Sequence, residues 1–351
     1  MKTYFRDDIE KMAGYTPGKQ VNIDNYIKIN TNENPYPPSP KVKKVLSNIT
    51  DKQLIRYPNP TGDKLRAQIA NVLNVNSNNV ILGNGSDDIL TIALRSFVDE
   101  NRKVASVYPT YSLYSVLANI QGAECSEVNL NEDFSLPAEI ANDISEANLF
   151  LLPRPNAPTG TTFPKEKIIE LCENFNGIVL IDEAYADFAE DNCIDLINRF
   201  DNLIVSRTFS KSYSLAGARI GFAIANENLI NGMMKVKDSY NVNVITQEIA
   251  TAAMNDQEYL NKTVTKICET RNWLAAQLKE LNFTVLESHT NFLFVIPPNS
   301  NGEEYFNYLF ENNILTRHFK GGVTDKFVRI SVGTDKEMQT VIDVTKQYLQ
   351  Q

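Results

Sequence analysis

Short apolar runs alternate with stretches of helical period from about residue 65 to about residue 240, which predicts a mostly parallel sheet covered by helices on both faces. Six runs read as strands, at 79–82, 103–107, 148–152, 178–181, 203–205 and 220–225. Between them, Ile89, Ala93, Phe97 and Val98 follow helical spacing after a glycine-rich turn, and Ile168, Ile169, Leu171 and Cys172 do so after Pro164; both predict crossover helices. Further on, Leu260, Val264, Ile267, Trp273, Leu274, Leu278 and Leu281 predict one long helix over 256–281 with Trp273 in the core. Strand-like runs at 290–296 and 326–332 and helical stretches at 303–312 and 335–349 then predict a smaller α+β domain. The N-terminal segment is expected to join that domain or to reach a partner subunit. No repeat, low-complexity tract or long linker separates the parts, so the domains should interleave. The fold class is α/β, a three-layer, mostly parallel sheet with a smaller α+β companion.

A length of 351 residues is enough for about two domains with a large core. No run approaches the ~18 apolar residues of a membrane span, and the N-terminus, Met1-Lys2-Thr3-Tyr4-Phe5-Arg6-Asp7-Asp8, lacks the apolar stretch of a signal peptide. A cytoplasmic protein without a membrane partner is expected. Cys125, Cys172, Cys193 and Cys268 are far apart and form no C-x-x-C pair, which suits a reducing compartment and argues against structural zinc. With only His289 and His318 present, a histidine-rich metal site is excluded, and neither histidine sits in a recognisable hydrolase motif. A net charge of −9 offers no basic surface for nucleic acid. An anionic substrate would need local arginines.

In an open α/β sheet, ligands bind outside the carboxyl ends of the strands. The first predicted strand runs into Gly83-Asn84-Gly85-Ser86-Asp87-Asp88 and then a helix, whose free N–H groups and dipole could hold a phosphate. The plainer alternative is a capped helix with Ser86 or Asp87 as N-cap. Others end in Tyr108-Pro109-Thr110-Tyr111 and in Pro153-Arg154-Pro155-Asn156-Ala157-Pro158-Thr159-Gly160. Asp182, in Ile181-Asp182-Glu183-Ala184-Tyr185, could be a magnesium ligand of a nucleotide hydrolase or the partner of a ring nitrogen; the first fails because no G-x-x-x-x-G-K-[ST] loop lies upstream. The most specific segment is Ser206-Arg207-Thr208-Phe209-Ser210-Lys211-Ser212-Tyr213-Ser214-Leu215-Ala216-Gly217-Ala218-Arg219. It sets a lysine among hydroxyls and small residues at a strand end, with Arg219 eight positions on. A partly desolvated lysine near a cation can form an imine with an aldehyde.

Together with Thr31-Asn32-Glu33-Asn34-Pro35, Arg56-Tyr57-Pro58, Gly85-Ser86-Asp87, Pro109-Thr110-Tyr111 and Arg329-Ile330-Ser331-Val332-Gly333-Thr334, these motifs resemble, over nearly the whole length, the fold-type I pyridoxal-phosphate aminotransferases and among them the histidinol-phosphate aminotransferases. The resemblance implies an arm and part of the small domain at 1–40, a large cofactor domain at 41–240 and a small domain at 241–351. It implies transamination between L-histidinol phosphate and 2-oxoglutarate in histidine biosynthesis. Lys211 would anchor pyridoxal 5′-phosphate and carry the proton, Asp182 would pair with the ring nitrogen, and Tyr185 would donate to the ring oxygen while Tyr111 stacks on the ring. Ser86, Asp87, Ser210 and Arg219 would cradle the phosphate, with Tyr57 reaching in from the partner of a homodimer. One departure stands out: where the family has two asparagines before Pro-Thr-Gly, the second touching the ring oxygen, this chain has Asn156 followed by Ala157. Either Asn156 serves through a backbone shift or Tyr185 acts alone. Arg329 would clamp the substrate carboxylate or phosphate. Arg317 would add a second anion contact, the alternative being a surface salt bridge, and Tyr15 would cover the substrate. Asn32 and Asn34 would line the small-domain side of the cleft, or make turns there. Relatives of the same fold also include transaminases of aromatic and other amino acids and amino-acid-phosphate decarboxylases; a non-catalytic cofactor-sensing domain is the reading from another class.

Overall fold

The structure, a computed structural model, describes residues 4–15, 18–19 and 26–351. The first strand, β1 (Ile27–Lys28), belongs to a smaller layer treated below. The next seven, β2 (Val80–Gly83), β3 (Lys103–Tyr108), β4 (Cys125–Asn129), β5 (Ala147–Pro153), β6 (Ile178–Asp182), β7 (Leu203–Thr208) and β8 (Gly221–Ala225), form one sheet in the order β2-β8-β7-β6-β5-β3-β4. Strands β7, β6, β5, β3 and β4 are parallel, and β8 alone runs against both neighbours. The reversal follows from the link between β7 and β8: residues 209–220 form a loop without a crossover helix, and a chain that returns without crossing the sheet pairs antiparallel. Lys211 lies in this loop.

Side chains alternate between the two sheet faces as period-2 geometry demands. Leu82, Val107, Leu152, Ile181, Val205 and Ile224 join one core, capped by Leu65, Ile69, Ile168, Leu171 and Ile249. Ile81, Val104, Leu151, Leu180, Ile204 and Ala223 join the other, capped by Ile89, Ala93, Tyr114, Ala118 and Met233. Strands covered on both sides read as unbroken apolar runs, which is why six of the seven are visible in the sequence. The seventh, β4, is not. It pairs only with β3 at the sheet edge, and its Ser126 and Glu127 face solvent.

Beyond the predicted helix, now bounded as Gln257–Glu280, come β9 (Thr284–Val285), β10 (Phe292–Ile296), β11 (Ile314–Leu315), β12 (Arg317–His318) and β13 (Val328–Ser331). They build an antiparallel sheet β12-β13-β10-β9, while β1 pairs parallel with β11. The N-terminal segment therefore joins this layer: Ile29 sits in its core, and the Ser331 N–H donates to the Ile29 carbonyl at 3.0 Å. The boundary expected at 240/241 falls too early. Helix Val244–Met254 buries Ile249, Ala250, Ala253 and Met254 in the large-sheet core, against Val42 of helix Pro40–Leu46 and Leu65 of helix Asp63–Leu73. The chain passes to the smaller layer along Gln257–Glu280. Trp273, expected in the core, is 36% exposed, because Leu274 and Leu278 already fill the inward stripe of that helix.

Candidate active site

The carboxyl ends of β5, β6 and β7, the N-terminus of helix Ser86–Phe97 and the facing edge of the small sheet enclose a cavity of about 340 Å³. Parallel register aligns those strand ends, Pro153 opposite Asp182 and Asp182 opposite Ser206. On the floor, the Lys211 Nζ donates to the Thr31 carbonyl at 3.0 Å and lies 5.7 Å from the centre of the Tyr185 ring. Its loop is tied down from below. Ser212 donates to Asp187, and the Arg207 guanidinium bridges Glu183 at 2.8 Å and Asp187 at 2.7 Å.

Asp182 is 5% exposed and points into the cavity. It accepts hydrogen bonds from the Tyr114 hydroxyl at 2.9 Å, the Ser206 hydroxyl at 3.3 Å and the Ala184 N–H at 3.2 Å. Burial pushes its carboxyl up to about 6, the Tyr114 hydrogen bond opposing that rise and nearby Asp87 adding to it. Tyr114 is fully buried, and its hydroxyl is pushed well up by burial and by the Asp182 charge. Sequence reasoning stopped at Tyr111; the available signal was that Tyr114 lies one helical turn further on the inward face. Tyr111 itself lines the cavity, its hydroxyl also raised, chiefly by burial.

At the far end, Ser86 opens a twelve-residue helix, and its N-cap is neither Ser86 nor Asp87 but Gly85, at φ +89° with no side-chain cap. Backbone donors there stay open to the cavity. Gly221 makes that approach feasible: a Cβ on it would stand 2.5 Å from the Ser86 nitrogen. Ser86, Asp87, Ser210, Thr208 and Arg219 line this end, and the Arg219 guanidinium reaches Asp87 at 3.2 Å.

The small sheet supplies the opposite wall. Arg329 on β13 and Arg317 on β12 are direct cross-strand neighbours, both flanking the Phe319 ring at 5.2 and 5.5 Å. Like charges placed opposite one another repel unless an anion lies between them. Arg329 donates to the Asn30 carbonyl at 2.9 Å, while its buried Nε has no partner. Tyr15 closes the cavity, its ring 6.0 Å from that of Tyr111.

Two expected site residues stand elsewhere. The Asn34 amide donates to the carbonyls of Lys211 and Ser212 at 3.1 and 3.0 Å and accepts from the Tyr36 N–H, so it braces the lysine loop and does not line the cleft. The Asn156 amide nitrogen is held by the Pro109 carbonyl at 3.1 Å and the Thr159 hydroxyl at 2.9 Å; Ala157 faces the cavity in its place. Tyr57, expected to reach a partner's site, is 81% exposed and stacks on Tyr240, outside its own chain's cavity. Neither histidine lines the cavity. Among the described residues, no group of three or more His, Cys, Asp or Glu side chains is placed to hold a metal, and no helix is long and apolar enough to cross a membrane.

Comparison with known proteins adds a further line. The family described as aminotransferase class I and II matches residues 24–344. The chain is 45% identical over 338 residues to a histidinol-phosphate aminotransferase of Geotalea daltonii, covering 96% of this chain and 97% of that one. It is 44% identical over 342 residues to a histidinol-phosphate aminotransferase of Syntrophotalea carbinolica, at 96% and 97% coverage. The crystal structure of histidinol-phosphate aminotransferase from Sinorhizobium meliloti in complex with pyridoxal-5′-phosphate shares the fold, with a TM-score of 0.90 over 99% of both chains at 23% identity.

Proposed function

The chain belongs to the class I and II aminotransferases, and from that premise we propose that it carries pyridoxal 5′-phosphate and transfers the amino group of L-histidinol phosphate to 2-oxoglutarate. The products are imidazole acetol phosphate and glutamate, the setting is histidine biosynthesis in the cytoplasm, and the working unit is a homodimer. The observation that carries the reading is the convergence of Lys211, Asp182 and Arg329 on one cavity from three distant parts of the chain.

The donor set fits this cofactor. Open N–H groups at Ser86, the Ser210 hydroxyl and the Arg219 guanidinium suit a phosphate, with Asp87 orienting Arg219. When bound, the cofactor supplies a ring that takes up the electrons released as a proton leaves the substrate carbon. Asp182 would pair with the ring nitrogen, since a cation beside a buried carboxyl favours its ionised form. Lys211 would anchor the cofactor and, once released, would carry a proton on its Nζ. Tyr185 would donate to the ring oxygen and Tyr111 would cover the ring face. Arg329 and Arg317 receive the phosphate or carboxylate of each substrate, which satisfies the orphaned Arg329 Nε and relieves the repulsion between the two guanidiniums. Tyr15 excludes water from above.

The test is an absorbance scan in single-turnover amounts. The band of lysine-bound cofactor should bleach on adding histidinol phosphate and return on adding 2-oxoglutarate, and Lys211→Ala should abolish both the band and turnover. Steady-state rates should favour histidinol phosphate over phenylalanine and threonine phosphate. A band that ignores histidinol phosphate, or a preference for either competitor, refutes the substrate assignment.

A further inference from the structure

Ala157 presents only a methyl group to the cavity, and the neighbouring Asn156 amide nitrogen is spent on Pro109 and Thr159. At this wall a hydrogen bond to an oxygen of a bound ring must come from Tyr185. A hydroxyl can rotate, so its usefulness depends on where its proton points.

A chain of hydrogen bonds settles that direction. It starts at a group whose polarity is beyond dispute, the backbone N–H of Asn32, which donates to the Ser331 hydroxyl oxygen at 2.9 Å. Ser331 is 1% exposed, and among the described residues its hydroxyl has no other acceptor, so it donates in turn to the Asn32 Oδ1 at 2.8 Å. That identifies the other amide atom of Asn32 as the nitrogen, and it donates to the Tyr185 hydroxyl oxygen at 2.8 Å. With this lone pair filled by a donor, the Tyr185 proton has no acceptor on the Asn32 side and turns toward the cavity. Asn32 itself is pinned. It is 1% exposed, its carbonyl accepts from the Asn291 amide at 3.0 Å, and its backbone holds φ +56°, a conformation asparagine and glycine tolerate best.

We infer that Asn32, locked by Ser331, is a positioning residue that aims the Tyr185 hydroxyl at the ring oxygen and so makes Tyr185 the donor this wall needs in spite of Ala157. The inference rests on the cofactor reading above and deepens it. It ties an electronic setting of the large-sheet site to the small sheet, since Ser331 ends β13. The charged and titratable groups facing Tyr185 are Lys211, Arg329, Tyr111 and Tyr114, none of which bonds its hydroxyl.

The experiment is a pH titration of the bound cofactor's absorbance without substrate. Asn32→Gly removes the amide without adding charge and keeps a backbone that suits φ +56°. A donor at the ring oxygen favours the deprotonated form of the lysine-linked cofactor, so its loss should move the midpoint upward by about one unit, a tenfold change in proton affinity. Ser331→Ala should move it the same way by less. In a Tyr185→Phe background, Asn32→Gly should add no further shift, because the effect runs through that hydroxyl. An unmoved midpoint in Asn32→Gly, or an equal shift in the Tyr185→Phe background, overturns the inference while leaving the cofactor reading intact. Absence of a cofactor band in the unmodified protein, or its survival in Lys211→Ala, overturns both.

Discussion

Asp182 shows how one side chain can be tuned by opposing forces. Burial raises its carboxyl to about 6, and the Tyr114 hydroxyl holds it from rising further. In the cofactor-free protein the folded state therefore binds a proton more tightly than the unfolded chain does. Stability from this group is full below the unfolded value near 3.8 and is lost as pH rises through about 6. Denaturant unfolding of the cofactor-free protein should fall, relative to Asp182→Asn, by on the order of 3 kcal/mol between about pH 4 and about pH 7. A difference that stays flat across that range would refute the assignment. Asp182 was legible in the sequence because it directly follows an apolar run, and Lys211 because it sits among hydroxyls and small residues just past another. Tyr114 and Asn32 were not assigned these tasks, because the atoms they serve lie 68 and 153 positions away.

Among the elements, the closest tolerance is between β8 and the start of helix Ser86–Phe97. A Cβ at Gly221 would meet the Ser86 nitrogen at 2.5 Å, the Gly85 carbonyl carbon at 2.7 Å and the Arg207 carbonyl oxygen at 2.9 Å, all backbone atoms that cannot swing aside. Gly221→Ala should cost about 1–3 kcal/mol of stability through overpacking. It should also weaken cofactor binding by displacing the Ser86 N–H, measured by thermal melts and a cofactor titration; unchanged affinity would show that Ser86 is not part of the phosphate cradle. The helix start was visible in the Gly83 to Asp88 pattern, but the alternative that Ser86 or Asp87 caps it does not hold. Ser86 and Asp87 suit an N-cap by residue type, yet the turn needs φ +89°, which only the preceding glycine adopts readily. The edge strand β4 was missed for the converse reason, since three of its five side chains meet water and leave no apolar run.

The whole molecule presents Tyr57, Ile55 and Leu54 at 81, 79 and 55% exposure, with Tyr57 stacked on Tyr240. In the homodimer proposed above, this surface would face the second copy and Tyr57 would reach the partner's phosphate end. Sedimentation equilibrium should give a dimer. Tyr57→Phe and Lys211→Ala proteins should each retain cofactor poorly, and subunit exchange between them should restore tight binding at one of the two sites of each hybrid dimer, about a quarter of all sites after random reassortment, because that site draws Lys211 and Tyr57 from different subunits. No restoration on mixing would place both residues in one chain's site. The charge of −9 leaves the anion-binding task to a few arginines, and the fold concentrates them: Arg317 and Arg329 come from neighbouring strands, Arg219 from the opposite end of the cavity.

The sequence alone determined the layered α/β architecture, the loop carrying Lys211 and the carboxylate at the end of β6. Each of these depends on periodicity or on residues adjacent along the chain, which local backbone geometry converts directly into structure. Tertiary structure decided the rest. The reversed direction of β8, the outward turn of Trp273, the withdrawal of Asn34 and Asn156 from the cavity and the path from Ser331 through Asn32 to Tyr185 all depend on which distant groups compete for the same space or the same hydrogen bond. Spacing along a chain carries no record of that competition, because it is resolved only when packing brings the competitors together.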